Sequence, residues 1–249
     1  MTNASLSPAH REATASDTIT TAIEDNLCAY AVFFGATSAA ELHDHSDLLW
    51  VMSRIPTLPF TGILRPYPRI TMLAATIRTT MTHFQQERAR PSWIFNPARS
   101  TADFIAQLAE HHLSQTANLP GMALKLSALQ EPPIQPLPIT TVADPTMLAT
   151  WVGIYAKSNG IPDWIRAELM SLFSAIDYQS AQPLTLYLAW QADQPVATAA
   201  TFWDKGRVGL YEVATLPAFR CQGIASRITY YALNDARRKD AGGEPVLMR

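Results

Sequence analysis

The sequence predicts an α+β protein built as two units in tandem, with a mixed, mainly antiparallel sheet flanked by helices. Three observations predict it. Residues 144–248 run helix, helix, three alternating strands, helix and the start of another strand, the order of a mixed-sheet domain. Glu131–Pro138 (EPPIQPLP) sets four prolines in eight residues, which can continue neither a helix nor a central strand. The 249 residues are 48% hydrophobic and only 16% charged, enough apolar side chain to bury a core and too much for a disordered chain.

In the first unit, residues 1–17 read as a loose polar tail. From Asp17 to Gly35, Ile23, Leu27, Tyr30, Ala31 and Phe34 recur at helical spacing, and Gly35 is placed to end the helix. Two apolar runs, Leu48–Met52 and Phe60–Leu64, are separated by Pro56 and Pro59 and read as strands of a meander. Ile70, Leu73, Ile77, Met81 and Phe84 mark an amphipathic helix, and Ser92–Phe95 a strand. Ser100 or Thr101 caps a helix carrying Phe104, Ile105 and Leu108, and Gly121–Leu129 reads as another strand. These assignments give a first domain at 18–130, a linker at 131–138 and a second domain at 139–249.

The second unit is cleaner. Asp144 caps a helix with Met147, Leu148, Trp151, Val152 and Tyr155 on one face. A helix with Ile165, Leu169, Leu172, Phe173 and Ile176 follows Asn159–Gly160. Leu184–Trp190, Val196–Trp203 and Val208–Ala214 are strands separated by short polar turns. Leu216–Gly223 is a loop, Ile224–Asp240 a helix ended by Gly242–Gly243, and Pro245–Met248 the start of a strand.

Several function classes are excluded at this level. The chain carries 19 Lys+Arg against 21 Asp+Glu, and neither half has a basic excess, so a nucleic-acid binder is not expected. No signal peptide or membrane-length apolar run is readable, and Cys28 and Cys221 make neither a disulfide framework nor a zinc site. The expectation is a cytoplasmic protein with no metal and no membrane partner. His43-Asp44-His45 lacks a third ligand at suitable spacing and reads as a solvated hairpin.

Chemistry concentrates in Tyr211-Glu212-Val213-Ala214-Thr215-Leu216-Pro217-Ala218-Phe219-Arg220-Cys221-Gln222-Gly223-Ile224-Ala225-Ser226. Here a strand runs into a loop and the loop into a helix, with R-x-x-G-x-A at the turn. The first-turn amides of a helix lack internal partners and lie at the positive end of its dipole. Gly223 removes a side chain where an anion must approach the backbone, Ala225 keeps the next contact small, and Arg220 adds a formal charge. A diphosphate is the natural guest.

This segment resembles the acyl-CoA-binding motif of the Gcn5-related N-acetyltransferase (GNAT) superfamily, with V-A-T-x-P directly upstream and the element order of residues 139–248 in agreement. The first half, with Pro120-Gly121-Met122-Ala123-Leu124-Lys125-Leu126 before the proline run, resembles a branch of that superfamily with a divergent N-terminal copy of the fold. Its own turn, Arg65-Pro66-Tyr67-Pro68-Arg69, lacks glycine.

The resemblance implies an N-acetyltransferase moving an acetyl group from acetyl-CoA to a primary amine by direct attack, the acceptor being a small molecule or a peptide. It implies that the amides of Gln222 through Ser226 hold the pyrophosphate and that Val213, Ala214 and Thr215 pair with the pantetheine arm. Arg220, Cys221, Gln222, Gly223, Ile224, Ala225 and Ser226 complete the cofactor set. The Val213 amide is the implied oxyanion donor. Glu212 is either the general base or a strand-end carboxylate paired with an arginine. Tyr211, Tyr230 and Tyr231 either line an acceptor pocket or pack in the core, where Trp151, Trp164, Trp190 and Trp203 are also expected. Arg237, Arg238 and Lys239 read as a solvated last turn.

The superfamily fold continues past its fifth strand, so the C-terminal domain is expected to be incomplete, with an exposed edge at Val246–Met248 and no assignable general acid. Two alternatives stay open: a non-catalytic CoA-binding or interaction module, or a sheet completed by a partner strand, as in a homodimer.

Overall fold

The structure, a computed structural model, describes residues 15–67, 70–96, 100–133, 135–176, 183–239 and 246–248. Residues 1–14 of the expected tail, part of the 65–69 turn and Gly242–Gly243 lie outside the described residues, and residues 15–17 of that tail are already helical.

The first half contains α1 (Ala15–Gly35), β1 (Ala40–Asp44), β2 (Leu49–Ser53), β3 (Gly62–Ile63), α2 (Ile70–Gln86), β4 (Ser92–Trp93), α3 (Ala102–Glu110) and β5 (Ala123–Lys125). The second contains β6 (Ile139–Thr141), α4 (Pro145–Asn159), α5 (Asp163–Ser174), β7 (Leu184–Gln191), β8 (Gln194–Asp204), β9 (Arg207–Thr215), α6 (Ile224–Lys239) and β10 (Val246–Met248). Cap chemistry sets several boundaries. Thr101 Oγ1 accepts from the Phe104 amide at 3.2 Å and Asp144 Oδ1 from the Met147 amide at 2.8 Å, each satisfying an otherwise orphaned donor. Gly160 ends α4 at φ 64°, a left-handed conformation suited to glycine.

Two sheets form, ordered β1-β2-β3-β4 and β5-β10-β9-β8-β7-β6. Their pairing repeats. In the first, β1, β2 and β3 are antiparallel neighbours and β4 joins β3 in parallel after α2. In the second, β7, β8 and β9 are antiparallel neighbours and β10 joins β9 in parallel after α6.

Alternation along the strands builds a core on each face of the second sheet. Leu184, Leu186, Leu188, Ala200 and Phe202 meet Trp151 of α4, Phe173 of α5 and Tyr30 and Phe34 of α1 on one face. Tyr187, Ala189, Val196, Ala197, Ala199 and Leu210 meet Ile228, Ala232 and Ala236 of α6 on the other. Helix α1 thus belongs to the core of the second sheet.

Several expectations meet a different structure. The strand expected within Gly121–Leu129 is three residues long and pairs with β10 (Val246↔Lys125, Met248↔Ala123), so it belongs to the second sheet although it precedes the proline run. It covers the β10 edge that was expected to be bare. The segment expected as a linker, 131–138, is tied to the second sheet and α6 through its described residues. Arg227 of α6, only 7% exposed, donates to Glu131 Oε1 at 2.6 Å and to the Gln135 carbonyl at 3.3 Å, and the Trp190 amide donates to the Pro138 carbonyl. Finally, Ile105 and Trp164 are 46% and 59% exposed, because each lies off the apolar stripe of its helix.

Candidate active site

Strand β9 carries the site, and a bulge gives it its geometry. Thr198 of β8 pairs with Ala214 and Ala200 pairs with Tyr211, so Glu212 and Val213 together oppose Ala199. Glu212 has φ 48°, left-handed for a residue with a side chain, at a cost of order 1–3 kcal/mol that surrounding contacts must sustain. The Thr198 hydroxyl donates to the Glu212 carbonyl at 2.9 Å. The extra residue breaks the alternation: Tyr211 and Glu212, adjacent in sequence, both make side-chain bonds to α1, whereas Val213 packs on the α6 side.

On the α1 side, the Tyr30 hydroxyl donates to Glu212 Oε2 at 2.8 Å. Its ring stacks on Tyr211 at 4.0 Å and 7°, and Tyr211 donates to Asn26 Oδ1 at 2.7 Å. Glu212 is half-buried; loss of water raises its pKa to about 7, and the Tyr30 bond partly opposes the rise. The same burial, reinforced by the Glu212 charge, holds Tyr30, Tyr155 and Tyr211 neutral by raising their phenol pKa values. The partner of Glu212 is therefore a tyrosine, in place of the arginine considered from sequence. Tyr211 takes the core role, with a bonded hydroxyl.

Between the last turn of α4 and the start of α6, a cavity of about 420 Å³ opens at the end of β9. Val213, Ala214, Thr215, Arg220, Cys221, Gly223, Ile224, Ala225 and Ser226 line it, joined by Ser158, Asn159 and Phe219. Gln222 is not in that lining; its side-chain amide approaches the Ala218 carbonyl at 3.4 Å. The Arg227 amide donates to the Gly223 carbonyl at 3.0 Å, so the Ile224, Ala225 and Ser226 amides precede the first i→i−4 bond of α6. Cys221 and Gly223 take φ 59° and 77°, which folds the loop tightly at the helix start. Strand β10 pairs with β9 only at Val208 and Gly209; among the described residues no strand pairs with Val213–Thr215 on that side.

Arg220 does more than supply charge. Its Nε donates to the Thr215 carbonyl at 3.1 Å and its Nη2 to the Ser158 carbonyl at 2.7 Å, tying β9 to the last turn of α4 across the cavity. Two hydroxyls at the cavity, Ser158 Oγ and Thr215 Oγ1, are buried with no partner among the described residues. A polar guest with acceptors along its length would satisfy both, so the donor set fits CoA.

The remaining candidates lie elsewhere. His43 stacks on Trp50 in the β1–β2 hairpin, near His45, and among the described residues no three His, Cys, Asp or Glu side chains come together as a metal site. Arg238 and Lys239 pair with Asp235, so that last turn is not simply solvated. No described helix is long and apolar enough to cross a membrane. Sequence reasoning missed Asn26, Tyr30 and Ser158. Asn26, a polar residue four positions before Tyr30, and the hydroxyl of Tyr30 itself on the apolar stripe were the available signals of a polar contact on that side of α1.

Comparison with known proteins bears on the family and the fold. Residues 154–247 match the model of the Acetyltransferase (GNAT) family. A GCN5-related N-acetyltransferase from Kribbella flavida superposes with a TM-score of 0.69 at 16% identity, covering 93% of this chain and 86% of that one. A functionally unknown conserved protein from Staphylococcus epidermidis superposes with a TM-score of 0.57 at 12% identity, covering 83% and 82%. At these identities the likeness shows the fold. No relative was found among the curated proteins.

Proposed function

We propose that this chain, whose residues 154–247 match the GNAT acetyltransferase family, transfers the acetyl group of acetyl-CoA to a primary amine by direct attack. The observation that carries the reading is the β9 bulge, which sets a carboxylate with a pKa near 7 directly before Val213, the first β9 residue lining the cavity between α4 and α6.

In this reading the amides at the start of α6, with Arg220, receive the pyrophosphate. The open edge of Val213–Thr215 pairs with the pantetheine amides as an added strand would, and Ser158 and Thr215 add hydroxyl contacts. The thioester carbonyl then lies at the Val213 amide, which donates to the oxygen as negative charge develops there. The amine nitrogen attacks the carbonyl carbon from the α1 side, and its proton passes to Glu212. The carbon–sulfur bond breaks with its electron pair on sulfur, releasing CoA. A base with pKa near 7 is half ionised at neutral pH while still basic enough to accept a proton. The acceptor belongs to the broad class of small-molecule or peptide amines.

Calorimetric titration of CoA into the wild-type chain and Gly223→Glu, with thiol release from acetyl-CoA over a panel of primary amines, tests the reading. Heat of binding in the wild type alone and amine-dependent thiol release are expected. Equal heats in both proteins, or binding with no turnover on any amine, would remove it.

A further inference from the structure

We propose that Tyr30, on the first helix of the chain and outside the acyl-transfer half, is a positioning residue that orients the proton-accepting carboxylate of Glu212. The inference rests on Glu212 being the base in the reading above. Helix α1 presents Asn26 and Tyr30 four residues apart, hence on one face, and they grip two adjacent residues of β9: Asn26 takes the Tyr211 hydroxyl and Tyr30 bonds the Glu212 carboxylate. Only the bulge allows this. With regular alternation Glu212 would point to the α6 face, away from α1.

Tyr30 is well suited to hold its partner. It is fully buried and locked by rings on several sides: stacked on Tyr211, and edge-on to Phe34 at 5.0 Å and Phe202 at 5.2 Å. Its hydroxyl therefore has a fixed position, and the flexible glutamate adapts to it. One carboxylate oxygen is taken by this bond, which leaves the other to face the acceptor. Among the described residues, the titratable side chains that interact with Glu212 are Tyr30 from α1, Tyr155 from α4 and Tyr211 beside it on β9, with no cation among them. The Tyr30 bond is thus the one contact among them that favours the ionised form.

The test compares wild type with Tyr30→Phe, which keeps the ring packing and removes the hydroxyl, and with 3-fluorotyrosine at position 30, a nearly isosteric and stronger donor. Two readouts are followed: the ¹³C carboxyl shift of Glu212 against pH, which needs no turnover, and the pH profile of kcat/KM. In Tyr30→Phe the Glu212 titration and the acidic limb of the profile are expected to move to higher pH by about one unit, the range typical of one hydrogen bond to a charged group. Turnover at pH 7 then falls several-fold with the KM for acetyl-CoA unchanged. The fluorinated protein is expected to shift the opposite way. In Glu212→Gln, adding Tyr30→Phe should no longer move the profile. Unchanged titration in both Tyr30 variants overturns the inference. A shifted carboxyl titration in a protein that turns over no amine leaves the Tyr30 contact established but removes Glu212 as base, and with it the inference.

Discussion

Gly209 of β9 lies so close to Asn26 of α1 that a Cβ at position 209 would sit 2.1 Å from Asn26 Oδ1. It would also lie 2.3 Å from the Tyr211 ring, so the side chains of both partners in the Asn26–Tyr211 bond press on this backbone. Helix α1 is thereby held flush against β9 at the level of the bulge. Gly209→Ala is expected to push the helix off the strand and to cost about 1–3 kcal/mol, the usual range for overpacking. Urea unfolding measures it; a loss under 0.5 kcal/mol would mean that α1 is not seated here.

The unpartnered hydroxyls at the cavity give a test that separates binding from folding. Ser158→Ala and Thr215→Val remove groups that bond nothing in the described structure, so stability is expected to stay within about 1 kcal/mol of wild type or to rise. Affinity for CoA should fall roughly five- to tenfold per hydroxyl, one ordinary hydrogen bond's worth. Calorimetry reads the affinity and thermal melts the stability. Full affinity in the double variant would remove these hydroxyls from the cofactor site.

Glu212 also leaves a mark on stability against pH. Its folded pKa, about 7, lies above the usual 4.5, so the folded state holds this proton more tightly than the unfolded one. Below pH 4.5 both states are protonated and the contribution is fully present. As pH rises from 4.5 to 7 the unfolded chain gives up the proton first, and stability falls. Above 7 no further loss occurs. The expected decline is on the order of 2 kcal/mol or less, since solvent reaches part of the side chain. Glu212→Gln should remove it. Parallel pH curves for the two proteins would show that the carboxylate is not displaced from its ordinary range.

The strap formed by 131–138 depends on a buried arginine. Glu131 is 61% exposed and Arg227 only 8% at the side chain, so the pair is screened on one side alone. Glu131→Ala is expected to cost about 1 kcal/mol, with the Gln135 carbonyl still accepting from Arg227. Faster amide exchange at 131–138, with α6 unchanged, is the accompanying sign. Uniform exchange in both segments would refute this local role.

Local information was enough for much of this protein. The caps at Thr101 and Asp144, the alternation in β7 to β9 and the loop from Thr215 to Ser226 each depend on residues within a turn or a strand of one another. The candidate anion-binding helix start was legible for the same reason: an arginine, a glycine and an alanine at fixed spacing stand beside the first amides of α6.

What tertiary structure decided lies where partners are far apart in sequence. The Tyr30–Glu212 and Asn26–Tyr211 bonds join residues 182 and 185 positions apart, and no periodicity records such pairings. Strand β5 is three residues long, and only its docking on β10 shows which sheet it joins. The bulge is one residue at positive φ in a strand whose pattern otherwise reads as regular, yet it turns Glu212 toward α1. Sequence by itself determined the fold class and the cofactor-type loop, because helix and strand periods and turn chemistry are local properties. Which helix reaches the candidate base is set by long-range packing, where shape and burial choose among many surfaces of equal apolar character.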